Sequence, residues 1–224
     1  LRKHTRGLKF TNPKDNITYS ERHYDVIGER ILRGAIRVFT YVDRTSGAIF
    51  VSEGHYRGLE NELYIRHPYS DITSDGNPDP HLKALNFAGV IVHEVTHAVQ
   101  DWMDLRISLN SSEADAYLAS ALCLWNKFYV PVGGEHPFAV ATHGPARIIQ
   151  EAKTSRKALD HVAYRLAYNK LRDLFNEEPF RLRNGEQPQN LGRDRRGKPE
   201  RRIFDSLLRA DSGSQTTPTT TAAT

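Results

Sequence analysis

The sequence predicts an α+β domain, a small sheet followed by a helical part, and three observations predict it. Between residues 36 and 66 the chain offers short runs of β-branched and aromatic residues separated by turn residues. After Pro80 it changes to long stretches with apolar residues at helical spacing. A length of 224 residues, 38% of them hydrophobic and 26% charged, allows one sizeable core and is too apolar for a chain disordered throughout.

The elements follow in order. In residues 23–34, Val26, Ile27, Ile31 and Leu32 recur at helical spacing and Gly34 supplies a stop. From Ile36 to Val42, Arg37, Phe39 and Tyr41 alternate with Val38, Thr40 and Val42 as in a half-buried strand. Ala48 to Ser52, beyond the Asp43 to Gly47 turn, and Glu62 to Arg66 are the other expected strands, and either is a candidate edge for an extended substrate. After the turn-rich stretch Tyr69 to Pro80, helices are expected over about 82–104, 112–127 and 145–176. Residues 1–180 thus form a single domain. Residues 181–211, rich in Gly, Pro and Arg, read as a basic linker with one helical turn at Ile203 to Arg209, and 212–224 as a disordered, Thr-rich tail.

The net charge of +4 invites a nucleic-acid reading, but its distribution tempers it. Residues 181–202 hold eight Lys or Arg against three acidic residues, and residues 1–9 hold four more, so the body between is net acidic. No aromatic residue interleaves the basic run for base stacking, which favours a solvated tail over attachment to nucleic acid or an acidic surface. The most apolar stretch, Leu85 to Val99, is interrupted by Asn86, His93, Glu94 and His97, so no membrane span is expected and the protein reads as soluble, cytoplasmic or secreted. Leu1 stands where an initiator Met would, as in a trimmed chain, so targeting is not readable. Cys123, the single cysteine, sits among Ala119, Ala121, Leu122 and Trp125 as a small core residue.

The chemistry concentrates in His93-Glu94-Val95-Thr96-His97. Residues four apart on a helix share a face, so two imidazoles can grip one Zn²⁺ while the intervening Glu94 points to its side, placed to act on water. Val90, Ile91, Val92, Val95, Ala98, Val99 and Trp102 surround these groups, and polar residues on a buried helix are costly unless paired or ligating. A catalytic zinc takes a third protein ligand. Glu113, at the start of the next helix, is one candidate, although Asn110 and Glu113, or Ser112 and Asp115, also fit the spacing of a helix cap. Asp101, one turn beyond His97, is the other oxygen donor, better suited to a hydrogen bond with a ligand's ring nitrogen.

His93-Glu94-x-x-His97 followed by Glu113 on the next helix resembles the gluzincin group of zinc metallopeptidases, to which the thermolysin-like enzymes belong, over residues 82–125. The resemblance implies a zincin-like fold with this helix at its centre and a Zn²⁺ held by His93, His97 and Glu113. It further implies hydrolysis of a peptide or protein substrate by metal-activated water, with Glu94 as general base and proton shuttle. The chain departs from the thermolysin-like pattern in a shorter gap from His97 to Glu113. It also departs at Tyr117, which stands where those enzymes carry an Asp that orients a ligand His. Tyr117 is then either a hydroxyl partner for that His or a half-buried core tyrosine. Tyr129, His136 and His143 are candidate donors to a developing oxyanion, His143 being expected on a loop before the third helical stretch. Two other functions stand beside this reading: a non-catalytic, zinc-stabilised binding module, and a basic nucleic-acid-associating protein in which the motif is coincidental.

Overall fold

The computed structural model describes residues 1–41, 54–66, 80–125 and 137–176. The expected strand at 48–52, the donors Tyr129 and His136, the basic linker and the tail lie outside these residues. The architecture is α+β, with helices predominating.

A short helix α1 (Arg2–Thr5) precedes an antiparallel hairpin of β1 (Lys9–Asn12) and β2 (Ile17–Ser20), in register Phe10 to Tyr19. The turn between them is closed by Asn12, whose Oδ1 accepts from the backbone N–H of Lys14 at 2.8 Å and of Asp15 at 3.0 Å. Helix α2 (Glu21–Leu32) follows at once, its entry fixed by the Ser20 backbone N–H donating to His23 Nδ1 at 3.0 Å. It ends where Gly34 takes a φ of +74° and Ala35 N–H returns to the Arg30 carbonyl, a Schellman closure.

The second sheet has the order β3-β5-β4, from β3 (Arg37–Tyr41), β4 (Gly54–Arg57) and β5 (Glu62–Arg66). β3 runs parallel to β5 and β4 antiparallel to it. Glu62 to Arg66 is therefore the central strand and not an edge for substrate, which corrects the expectation above. β3 is also not half-buried: Arg37, Val38, Phe39 and Thr40 are all exposed, because no described element covers the outer side of this edge strand. β4 and β5 do alternate, turning Tyr56, Leu63 and Ile65 into the core.

Helix α3 (Pro80–Trp102) crosses the centre, with Val92, Val95, Thr96 and Val99 wholly buried. Another Schellman closure stops it, with Asp104 at φ +53° and Leu105 N–H bonded to the Gln100 carbonyl. After six intervening residues α4 (Leu109–Trp125) returns antiparallel, so that Ser120 Oγ reaches the Gly89 carbonyl at 2.7 Å. Ser108 caps α4, its Oγ accepting from Ser111 N–H, so neither Glu113 nor Asp115 serves as the cap. The stretch expected as one helix over 145–176 is two, α5 (Pro137–Ser155) and α6 (His161–Asp173), followed by a 3₁₀ turn at Leu174–Asn176. Arg156 at φ +55° ends α5, and Asp160 starts α6 by accepting from Val162 and Ala163 N–H. Among the described residues no helix is long and apolar enough to cross a membrane.

Candidate metal centre

α3 places His93 and His97 one turn apart, and α4 brings Glu113 against them in its second turn. His93 Nε2 lies 3.2 Å from His97 Nε2 and 3.3 Å from Glu113 Oε2, and His97 Nε2 lies 3.5 Å from Glu113 Oε1. Ligand atoms about 2.0–2.1 Å from a tetrahedral Zn²⁺ stand roughly 3.3 Å from one another, close to each of these separations, although the two histidines face different oxygens of the carboxylate; one ligand atom from each of the three residues lies within 4.8 Å of the others. Two imidazole nitrogens and a carboxylate oxygen are also the donor set of a hydrolytic zinc. Burial pushes the Glu113 carboxyl up, but the imidazoles of His97 and His93 outweigh it and hold the group below its ordinary value.

Glu94 is 6% exposed and turns toward the sheet, where its Cγ and Oε1 flank Gly54 of β4. A Cβ at Gly54 would meet Glu94 Cγ at 2.8 Å, so glycine is what lets this strand lie beside the residue between the two histidines. On its other side α3 is tied to α2 by Thr96, whose hydroxyl donates to the Val92 carbonyl and so accepts from Tyr24 Oη at 2.9 Å.

The remaining expected site residues divide. Tyr117 is half-buried and lies edge-on to the His93 ring, centroids 4.4 Å apart, and it also stacks on Phe175. Asp101 does not take the expected place beside His97's ring: its Oδ2 accepts from Tyr56 Oη at 3.0 Å, and its carboxylate lies against Gly58 in the β4–β5 turn. The ring nitrogen of His97 is met by Gln100 Oε1 at 3.0 Å, a residue not among the expected site residues, and by Ser112 Oγ at 3.1 Å, expected only as a helix cap. Spacing could have pointed to both, since Gln100 is three residues beyond His97 and Ser112 immediately precedes Glu113. His143 sits within α5 and not on a loop. It neighbours Trp125 at the end of α4, 12 residues or about 18 Å along the helix from Glu113, and is not brought to the centre.

A second buried carboxyl, Asp115, lies two residues beyond Glu113. Burial pushes it up to about 7 against three hydrogen bonds, from Tyr168 Oη at 2.7 Å, Tyr19 Oη at 2.8 Å and Asn12 Nδ2 at 3.0 Å. No family model matches the chain, and no match was found among curated proteins or solved structures.

Proposed function

We propose that the chain is a zinc-dependent peptidase in which His93, His97 and Glu113 hold the metal and Glu94 is the general base. One observation carries this reading: two helices bring the two Nε2 atoms within 3.2 Å of each other and set each against one oxygen of the Glu113 carboxylate, His93 on Oε2 at 3.3 Å and His97 on Oε1 at 3.5 Å, close to the spacing a tetrahedral zinc asks of its ligands. Zinc bound there supplies Lewis acidity toward water and a scissile carbonyl. Glu94 takes the proton from water and returns it to the leaving amine, a task for which its position between the ligand histidines suits it. β4, which lies against Glu94 through Gly54, is the strand beside which an extended peptide would run.

Metal analysis joined to cleavage of a peptide library tests the proposal. About one zinc per chain is expected, lost in Glu113→Ala and kept in Glu94→Gln, with cleavage abolished in both and by a chelator. Zinc kept in Glu113→Ala but lost in Asp101→Ala would overturn the ligand assignment. Zinc bound by a wild-type chain that cleaves no peptide would leave a metal-stabilised module in place of an enzyme.

A further inference from the structure

Gln100 and Asp115 are wholly buried, and a continuous chain of hydrogen bonds joins them to His97. Its bond directions are fixed at the Ser112 carbonyl, which can only accept. Tyr19 Oη donates its only proton to Asp115 Oδ2 at 2.8 Å. Burial and the neighbouring Asp115 raise the Tyr19 phenol well above its ordinary value, so that proton stays on the oxygen. With its proton committed, Tyr19 Oη receives from Gln100 Nε2 at 3.2 Å. The same Nε2 donates to the Ser112 carbonyl at 3.1 Å. A flipped amide would set its oxygen against that carbonyl and a hydroxyl with no proton to give, so the orientation of Gln100 is determined. Its Oε1 therefore faces Ser112 Oγ at 2.6 Å and His97 Nδ1 at 3.0 Å. An amide oxygen only accepts, so the proton between them sits on Nδ1. Ser112 Oγ, already donating to Gln100, faces Nδ1 as a second acceptor.

We infer that Asp115, Tyr19 and Gln100 form a positioning relay that keeps the proton of His97 on Nδ1 and turns the Nε2 lone pair toward His93 and Glu113. The relay rests on the metal reading of the site and adds to it a dependence on the N-terminal hairpin, which contributes Tyr19 and, through Asn12, a second donor to Asp115. Gln100, Tyr19 and Asp115 are positioning residues, acting on the metal only through His97.

The test uses the full chain and two readouts. Imidazole ¹⁵N resonances of His97, recorded with and without zinc, are expected to show a protonated Nδ1 in both states. Zinc affinity, measured by competition with a chromophoric chelator, is expected to fall about 10- to 100-fold in Gln100→Leu. A smaller fall is expected in Tyr19→Phe, which keeps the ring and removes the hydroxyl that orients the amide. An unprotonated Nδ1 in either state, or wild-type zinc affinity in Tyr19→Phe and Gln100→Leu alike, would overturn the relay. Should Gln100→Leu fail to fold, the wild-type spectra and Tyr19→Phe still decide it. A wild-type chain that binds no zinc would overturn the metal reading itself, while the metal-free spectrum would still judge where the proton lies.

Discussion

Replacing Gly54 by alanine measures how closely the sheet is set against α3. The added Cβ would lie 2.8 Å from Glu94 Cγ, 2.9 Å from Val90 Cγ1 and 3.2 Å from Glu94 Oε1. Carbon atoms pack best at about 3.5–4.0 Å, so β4 and α3 must part, or Glu94 must swing, by roughly 0.7 Å. Overpacking of this kind costs about 1–3 kcal/mol, and a misplacement of about 1 Å at a reacting group costs about 100-fold in rate. The nearest atoms belong to Glu94 and Val90 and not to His93, His97 or Glu113, so zinc content should be unchanged. Urea unfolding should show the loss of stability, and peptide cleavage should slow by about 10- to 100-fold with the metal still bound. An alanine variant with wild-type stability and turnover would refute the close approach, and one that loses zinc would show that the strand supports the ligands and not only the base.

Chelation should destabilise the protein, since zinc at a thousandfold excess over its Kd contributes about 4 kcal/mol, or roughly 10 °C in Tm, and a melting curve indifferent to chelator would contradict the ligand geometry. Two exchanges involving glycine should each stabilise. Gly28→Ala, inside α2 and meeting only the Leu1 side chain at 3.4 Å, should add about 0.5–1 kcal/mol, and Arg156→Gly, at φ +55°, about 1 kcal/mol, both read by urea unfolding. Burial, with Arg22 beside it, pushes the His23 imidazole down to about 4 from 6.5. Between these values the unfolded chain binds the proton and the folded chain does not, so the contribution is intact above pH 6.5 and is lost as pH falls toward 4. At 1.36 kcal/mol per pH unit the loss approaches about 3 kcal/mol, and His23→Gln should flatten this slope in denaturation curves taken across the window.

The elements legible in the sequence are those with strong periodicity or clear punctuation. α2, α3 and α4 carry apolar residues at helical spacing, and their observed ends fall within a few residues of those expected. β5 matches its β-branched and aromatic run, Glu62–Arg66. The hairpin β1–β2 is short and announced only by the turn cluster Asn12 to Asn16, and β4 is four residues beginning with a glycine, so neither rises above local noise. The division of 145–176 escapes periodicity because Arg156, not glycine, takes the left-handed position, leaving Asp160 as the only signal of a new start.

By itself the sequence determined that His93 and His97 share a face, because a helix repeats every 3.6 residues, and that Glu94 lies between them. Only the tertiary structure decided what surrounds them. Gln100 and Asp101, three and four residues beyond His97, are equally placed by helical geometry to reach its ring. Ser112 and Tyr19 draw Gln100 there, while Tyr56 and the β4–β5 turn take Asp101 away. Glu113 was likewise divided between cap and ligand until Ser108 proved to be the cap and the return of α4 carried Glu113 to the histidines. Local periodicity sets which face a side chain occupies; the partner it meets there comes from elements distant in the chain, whose approach no local pattern records.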